Sequence, residues 1–404
     1  MLLLRAGSVA PALSDDPRAG GPRARGGVHL AALAALTGPK GPGATVVMAS
    51  RSTGPLGALD ALRAAALRAA TSWGPARWVL RSRDRRVALQ ASTGVVVAAG
   101  ATLLAPAWLY VLAPVLLGVP HVVSDLRYLL VRRAPPASWV AACVALSAAL
   151  LAVRAAVEGP FRLPFAPSLE VGLGALWVAL GAVFGARASS APRRGALALA
   201  LTVTALAGTA AVAHPLSAQR ALLHAHNLVG LVAWVLLFRR ARRAALLPLA
   251  LIAGALALVA SGPAIAWSLR HGAVSAFGAH ILTAADAVSP SLPGDLGVRL
   301  AFAYVFLQSV HYAAWLAWIP QEDLSAEGSV SFRASARSLS RDLGVAGVAC
   351  AVACSAAVLL AAFAAVHRAR AAYLSLATFH VYFELAAVAF LACRGARVSR
   401  GHRP

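Results

Sequence analysis

Apolar residues run along this chain in blocks of about twenty, the length a helix needs to cross a bilayer core, with short polar clusters between them. The blocks fall at about 87–105, 107–131, 138–157, 169–187, 195–213, 219–238, 244–262, 296–318, 343–366 and 371–393. They predict an all-α fold: a polytopic integral membrane helical bundle of about ten transmembrane helices. Prolines punctuate the joins, among them Pro106, Pro135 and Pro136, Pro192 and Pro263. Pro114 and Pro120 fall inside the second block and predict a broken helix there. The long connection at 263–295 carries a short apolar run, Ala273–Ala287, read as a surface or re-entrant helix capping the bundle.

The chain divides into three parts. Residues 1–75 are rich in Gly, Pro, Ala and Arg with little periodicity, and predict disorder, apart from an amphipathic surface helix over 55–72. Met48 offers an alternative start that would leave 1–47 untranslated. Residues 76–394 form the transmembrane domain, and 395–404 a basic cytoplasmic tail.

Composition sharpens the class. Of 404 residues 60% are hydrophobic and only 13% charged, about half the charge of a soluble protein. The net charge of +23 sits in arginine clusters between the blocks, which suits cytoplasmic loops and anionic headgroups rather than nucleic acid. If the first span runs outward, the loops holding Arg81, Arg132, Arg187, Arg239, Arg337 and Arg394 all lie inside. They carry roughly three times the arginines of the other set, which places both termini in the cytoplasm. The alanine- and arginine-rich composition suggests a bacterial source, hence the plasma membrane. The four cysteines lie in or beside apolar runs without zinc spacing and read as packing residues.

Four blocks break the apolar pattern with histidine: Gly118-Val119-Pro120-His121-Val122-Val123-Ser124-Asp125, Leu223-His224-Ala225-His226-Asn227, Gln308-Ser309-Val310-His311-Tyr312 and Phe379-His380-Val381-Tyr382-Phe383-Glu384. Ionisable groups at membrane depth are costly and by default mark a functional site. His121, His224, His311 and His380 are the candidate metal ligands, with His224 taken as inward and His226, about 200° around the helix, as facing away. Asp125 and Glu384 each follow a histidine by one turn on the same face, as candidate catalytic carboxylates that complete the ligand shell or orient an imidazole. Imidazole with carboxylate suits iron, zinc or manganese. Counted along the helices, the histidines spread over roughly 15 Å of depth. That permits one site, or an outer layer of His224 and His380 above a deeper one of His121 and His311. Trp315 and Trp318 read as an interfacial belt, and Arg127 with Tyr128 as snorkelling groups at the inner surface.

The Gly118–Asp125 segment resembles the Gly-Leu-Pro-His-Gly-x-x-Asp motif of the membrane β-carotene dioxygenases, the Brp/Blh-like family, and Tyr304–His311 is similar to a later histidine-containing region of that family. Val122 stands where the family has glycine, and Leu307 where it has histidine. The resemblance implies a polytopic helical protein holding non-haem iron, with His121 and His311 among its ligands and Asp125 as the neighbouring carboxylate, acting on a carotenoid.

These residues admit four readings. The first is a metal-dependent oxidoreductase, non-haem iron its cofactor, acting on a lipid, isoprenoid or other hydrophobic small molecule that reaches the site from the lipid bilayer. The second is a cytochrome with histidine pairs on non-covalent haem. The third is a proton- or cation-coupled transporter. The fourth is a membrane protein whose histidines only cross-link helices.

Overall fold

The computed structural model describes residues 54–158, 163–238, 242–290, 292, 294–322 and 331–395. The segment before Met48 and the basic tail beyond 395 lie outside the described residues. Within them the chain is helical almost throughout. The first two helices, α1 (Pro55–Ser72) and α2 (Gly74–Leu80), precede the bundle. The bundle itself comprises α3 (Arg83–Leu104), α4 (Pro106–Asp125), α5 (Ala137–Glu158), α6 (Ala166–Arg187), α7 (Arg194–Ala213), α8 (Pro215–Ala233), α9 (Leu246–Val259) and α10 (Gly262–His271). A two-residue hairpin, β1 (Ser275–Ala276) with β2 (Ala279–His280), leads into α11 (Ile281–Val288). The chain closes with α12 (Leu296–Ala313), α13 (Ile319–Glu322), α14 (Phe332–Leu376) and α15 (Thr378–Arg394).

Among the described residues, eight helical stretches are long and apolar enough to cross a membrane, and the pair Arg243–Val259 and Gly262–His271, bent by 68°, makes a ninth if it is one span. This is a multi-pass membrane protein. The tally is lower than ten because the apolar blocks at 343–366 and 371–393 fall in one helical stretch and count once, although its 63 residues, at about 1.5 Å each, are far longer than one crossing needs. They lie in one long helical stretch, Phe332–Arg394, whose backbone leaves helical geometry at Gly344 and at Ala365 and turns again at Ala377, between α14 and α15. The break at Ala365 falls at the end of the first of these blocks, just before His367, Arg368 and Arg370.

Local chemistry explains the ends. Pro55, Pro106 and Pro215 each open a helix at its first residue, where a missing N–H costs nothing and φ is already helical. Pro114 and Pro120, by contrast, lie inside α4 without ending it. Surrounding helices and local adjustment compensate for such lost bonds in membrane helices. Gly395 ends α15 at φ 69°, a left-handed position that glycine takes without a Cβ clash. The run expected as a cap over the bundle forms α11, whose Ile281, Ala284, Ala285 and Val288 are buried in a cluster with Tyr110 of α4 and Phe302 and Val305 of α12.

Helices α6 and α15 approach each other backbone to backbone. A Cβ on Gly181 would come within 2.3 Å of the Ala386 carbonyl oxygen, and one on Gly185 within 2.1 Å of that of Phe390. Those neighbours are backbone and cannot swing away. Gly185→Ala is expected to force the helices apart and cost about 1–3 kcal/mol. Gly100→Ala in α3, where a Cβ meets nothing within 4 Å, is expected to be neutral or stabilising by about 0.5–1 kcal/mol. Thermal melts of the two variants in one detergent check both.

The core is aromatic. Trp139 stacks on Phe390 (centroids 5.2 Å, planes 8° apart), and Trp234 packs on Trp318 at 5.1 Å. Trp315 and Trp318 are fully buried, so they belong to this core and not to an interfacial belt: they project from the end of α12 into the bundle beside Trp234 and Phe238. Arg127, expected to snorkel freely, is tied to α14. Its Nε and that of Arg132 reach Asp342 Oδ2 at 2.7 and 2.8 Å, and each Nη2 donates to Ser338 Oγ at 2.9 Å.

Candidate metal centre

Three helices that carry histidine end in a π turn. Leu126–Leu130 follows α4, Trp234–Phe238 follows α8, and Ala314–Trp318 follows α12. Such widened turns recur at functional sites because they re-aim side chains and free backbone groups. Here the Trp315 carbonyl, within the third turn, accepts a hydrogen bond from Ser124 Oγ at 2.7 Å. That bond ties α4 to α12 three residues after His121 and four after His311.

The imidazoles of His121, His226, His311 and His380 converge in the bundle interior with the carboxylate of Glu384, all buried. His121 Nε2 lies 2.6 Å from His311 Nε2 and 3.5 Å from Glu384 Oε1. His311 Nε2 is 3.6 Å from the same oxygen. His226 Nδ1 is 3.3 Å from Glu384 Oε2, and its Nε2 is 3.2 Å from His380 Nε2. The nearest potential ligand atoms of His121, His226, His380 and Glu384 all lie within 4.8 Å of one another.

Ring orientation is set from behind. His380 Nδ1 donates to the Ala377 carbonyl at the α14–α15 corner, which leaves its Nε2 lone pair facing the centre. His121 Nδ1 faces Asp125 Oδ2 at 3.1 Å, which similarly turns Nε2 inward. This is the carboxylate–histidine arrangement that fixes a metal-binding tautomer and raises ligand basicity. Gly230 of α8 makes room for the His311 ring: a Cβ there would stand 3.0 Å from His311 Nδ1 and 2.7 Å from Trp315 Nε1.

The donor set fits a metal ion. Among the described residues, Glu384 and Asp125 are wholly buried and lie against each other, with the Trp315 indole also on Glu384, and two neighbouring buried carboxylates are expensive unless a cation or a shared proton meets them. Two ring nitrogens facing each other at 2.6 Å either share a proton or stand as neighbouring ligands of one ion. A cation ligated by imidazole nitrogen at about 2 Å satisfies both the carboxylates and the imidazoles. The buried group of His121, His226, His380 and Glu384 could therefore bind a metal, with His311 directly beside it.

Of the residues read from sequence, His121, His311, His380, Asp125 and Glu384 come together at this one centre. His224 does not. Its Nε2 instead faces the Val288 carbonyl (3.1 Å) and Ser289 Oγ (3.2 Å) at the end of α11, and His226, expected to face away, takes the inward position. The two-layer arrangement is also not what forms: the His121 and His380 ring centroids are 5.1 Å apart. Depth counting failed because it took every helix to begin at one level, which α15 does not. It begins at the Ala377 corner, so His380, near the start of the helix, is already level with His121.

A cavity of about 370 Å³ adjoins the centre and reaches the end of the bundle where α5 finishes and α6 begins. His226, His311 and His380 line one part of it, and Arg154, Glu170 and Tyr382 another. Arg154 Nε and Nη2 clasp Glu170 at 2.7 and 2.9 Å, and Tyr382 Oη donates to Glu170 Oε1 at 3.3 Å. Neither Arg154 nor Glu170 stood out in the sequence, since each sits near a span end where a charge is unremarkable.

No family model, curated protein or solved structure matches the chain.

Proposed function

We propose that this chain is an integral-membrane, metal-dependent oxidoreductase that acts on a lipid-soluble substrate, with non-haem iron held by His121, His226, His311, His380 and Glu384. One observation carries the reading: a wholly buried set of imidazoles and one carboxylate opens on a cavity instead of being sealed in the core. A structural cross-link between helices has no use for that opening. Neutral imidazole with carboxylate is a donor set that suits iron, and iron so held supplies oxygen activation. The protein's own part is to hold the ring tautomers through Asp125 and the Ala377 carbonyl, to keep bulk water from the centre with its tryptophan-rich core, and to admit substrate through the cavity. The local resemblance to the β-carotene dioxygenases points to an isoprenoid. In the orientation the arginines favour, the cavity opens toward the outer half of the bilayer.

The geometry favours a single ion over haem. Axial imidazoles must stand on opposite sides of a flat macrocycle, whereas His121 and His311 stack with ring centroids 4.5 Å apart and planes 27° from parallel. Metal analysis and an absorption spectrum of the detergent-purified protein test the reading. Near-stoichiometric iron without a Soret band is expected. A Soret band, or well-folded protein that retains no metal after aerobic or anaerobic purification, overturns it.

A further inference from the structure

We infer that the cavity holds an isoprenoid-sized alcohol, with the hydroxyl bound at Arg154, Glu170 and Tyr382 and the chain lying toward the histidines. This rests on the reading of the centre as the reacting end of the cavity.

The far end of the cavity sets the chemistry of the headgroup. Arg154 and Glu170 form a two-point ion pair, and Tyr382 adds its hydroxyl to the same carboxylate. Glu170 is 1% exposed while the Arg154 side chain is 24% exposed, so the carboxylate belongs to the wall and the guanidinium reaches toward the surface. The pair's summed charge is near zero. A substrate carboxylate or phosphate would meet Glu170 as a like charge at low dielectric, and an ammonium would meet Arg154. A saturated hydrocarbon would add nothing to the hydrogen bonding and would shield these charges from water at a cost. A hydroxyl both donates and accepts: it can give its proton to Glu170 and take one from Arg154.

The rest of the lining suits a chain. Leu222, Leu223, Leu374 and Val381 supply apolar wall. Along α12, Tyr304, Gln308 and Tyr312 follow one another at four-residue spacing, and Gln308 Nε2 donates to both phenolic oxygens (3.2 and 3.5 Å). Gln308 meets both phenols as acceptors, and the leucines with Val381 leave an apolar face beside this ladder for the chain. The volume limits chain length. At the ~30 Å³ of a liquid water, 370 Å³ holds on the order of a dozen non-hydrogen atoms. That is an alcohol of about ten carbons, or the hydroxyl end of a longer one such as farnesol, and not a whole carotenoid.

Tyr382 is held ready for this role by α6. Its ring occupies the space over Gly174, where a Cβ would stand 2.1 Å from the ring. Removing only its hydroxyl leaves that packing in place.

The test uses the full chain in lipid nanodiscs with two photoreactive probes, a diazirine-bearing farnesol and the same molecule lacking the hydroxyl, with crosslinks mapped by peptide mass spectrometry. The alcohol is expected to label the cavity walls on α8, α12 and α15, and unlabelled farnesol to compete. The hydrocarbon probe is expected to label only lipid-facing surfaces such as α7. Tyr382→Phe should lower wall labelling by the alcohol about fivefold. Arg154→Met with Glu170→Met, which removes both charges together, should lower it about tenfold or more. Equal wall labelling by both probes, or by neither, overturns the inference. Metal content is read on the same samples. Discriminating labelling in protein devoid of metal would sink the metalloenzyme reading and leave the alcohol site standing. Stoichiometric metal without discrimination would do the reverse.

Discussion

His226→Ala is expected to lose bound metal, by more than about a hundredfold in affinity, while His224→Ala retains it. Removing even an outer-shell partner of a metal ligand costs about 10–100-fold, and His226 faces Glu384 and His380 directly, at 3.3 and 3.2 Å. His224 has the same chemistry two residues away, but its ring nitrogen is engaged with Val288 and Ser289. Its loss should remove about 1 kcal/mol of stability and nothing from the centre. Competition with a chromophoric chelator, on protein matched for secondary structure by circular dichroism, gives the two affinities. Metal loss in His224→Ala with retention in His226→Ala would reverse the assignment of α8. Equal retention in both would mean that the imidazoles only cross-link helices.

The sequence contained a signal that separates these two histidines. On α8, His226 is followed at four and seven residues by Gly230 and Ala233, both buried. His224 is followed at four and eight by Leu228 and Val232, which are 41% and 43% exposed. Small residues permit close helix approach in membranes, where hydrophobicity does not drive helices together. Smallness, not polarity, therefore marks the packed face, and a histidine in register with it points inward. The same rule would have found the α6–α15 contact from Gly174, Gly181 and Gly185. Helix positions were readable because an uninterrupted apolar run of about twenty residues matches the bilayer core and little else. Helix depth was not, since nothing in the sequence around Ala377 fixes the level at which the chain turns. The Arg154–Glu170 clasp was invisible for a different reason: its partners lie on two helices, and nothing local in either requires the other.

The roles of the two carboxylates also separate only in three dimensions. From spacing alone Asp125 and Glu384 were equivalent, each one turn beyond a histidine. In the structure Glu384 lies within 3.3–3.6 Å of His121, His226 and His311, at the centre of the cluster and less tied to the His380 that precedes it on its own helix. Asp125 stands on the Nδ1 side of His121 and meets Glu384 as well. Glu384 is thus a direct ligand in the proposed centre, and Asp125 a positioning residue.

That difference makes Asp125 the more informative residue to change. Asp125→Asn keeps an oxygen that can accept from His121 Nδ1–H but removes the negative charge, and Asp125→Ala removes both. If Asp125 acts by fixing the tautomer and raising basicity, metal affinity should fall in steps, about tenfold for Asn and about a hundredfold for Ala. Glu384→Gln should exceed both, because an amide is a poor ligand and the lost charge is at the centre itself. The discriminating measurement is the His121 tautomer, read from its ¹⁵N chemical shifts in selectively labelled protein. Asp125→Asn should preserve the Nδ1–H form, and Asp125→Ala should mix in the Nε2–H form, whose proton blocks the nitrogen that faces Glu384 and His311. A purely structural carboxylate would lower stability in both variants and leave that equilibrium unmoved. A drop in affinity as large for Asn as for Glu384→Gln, with the tautomer unchanged, would instead place Asp125 among the direct ligands.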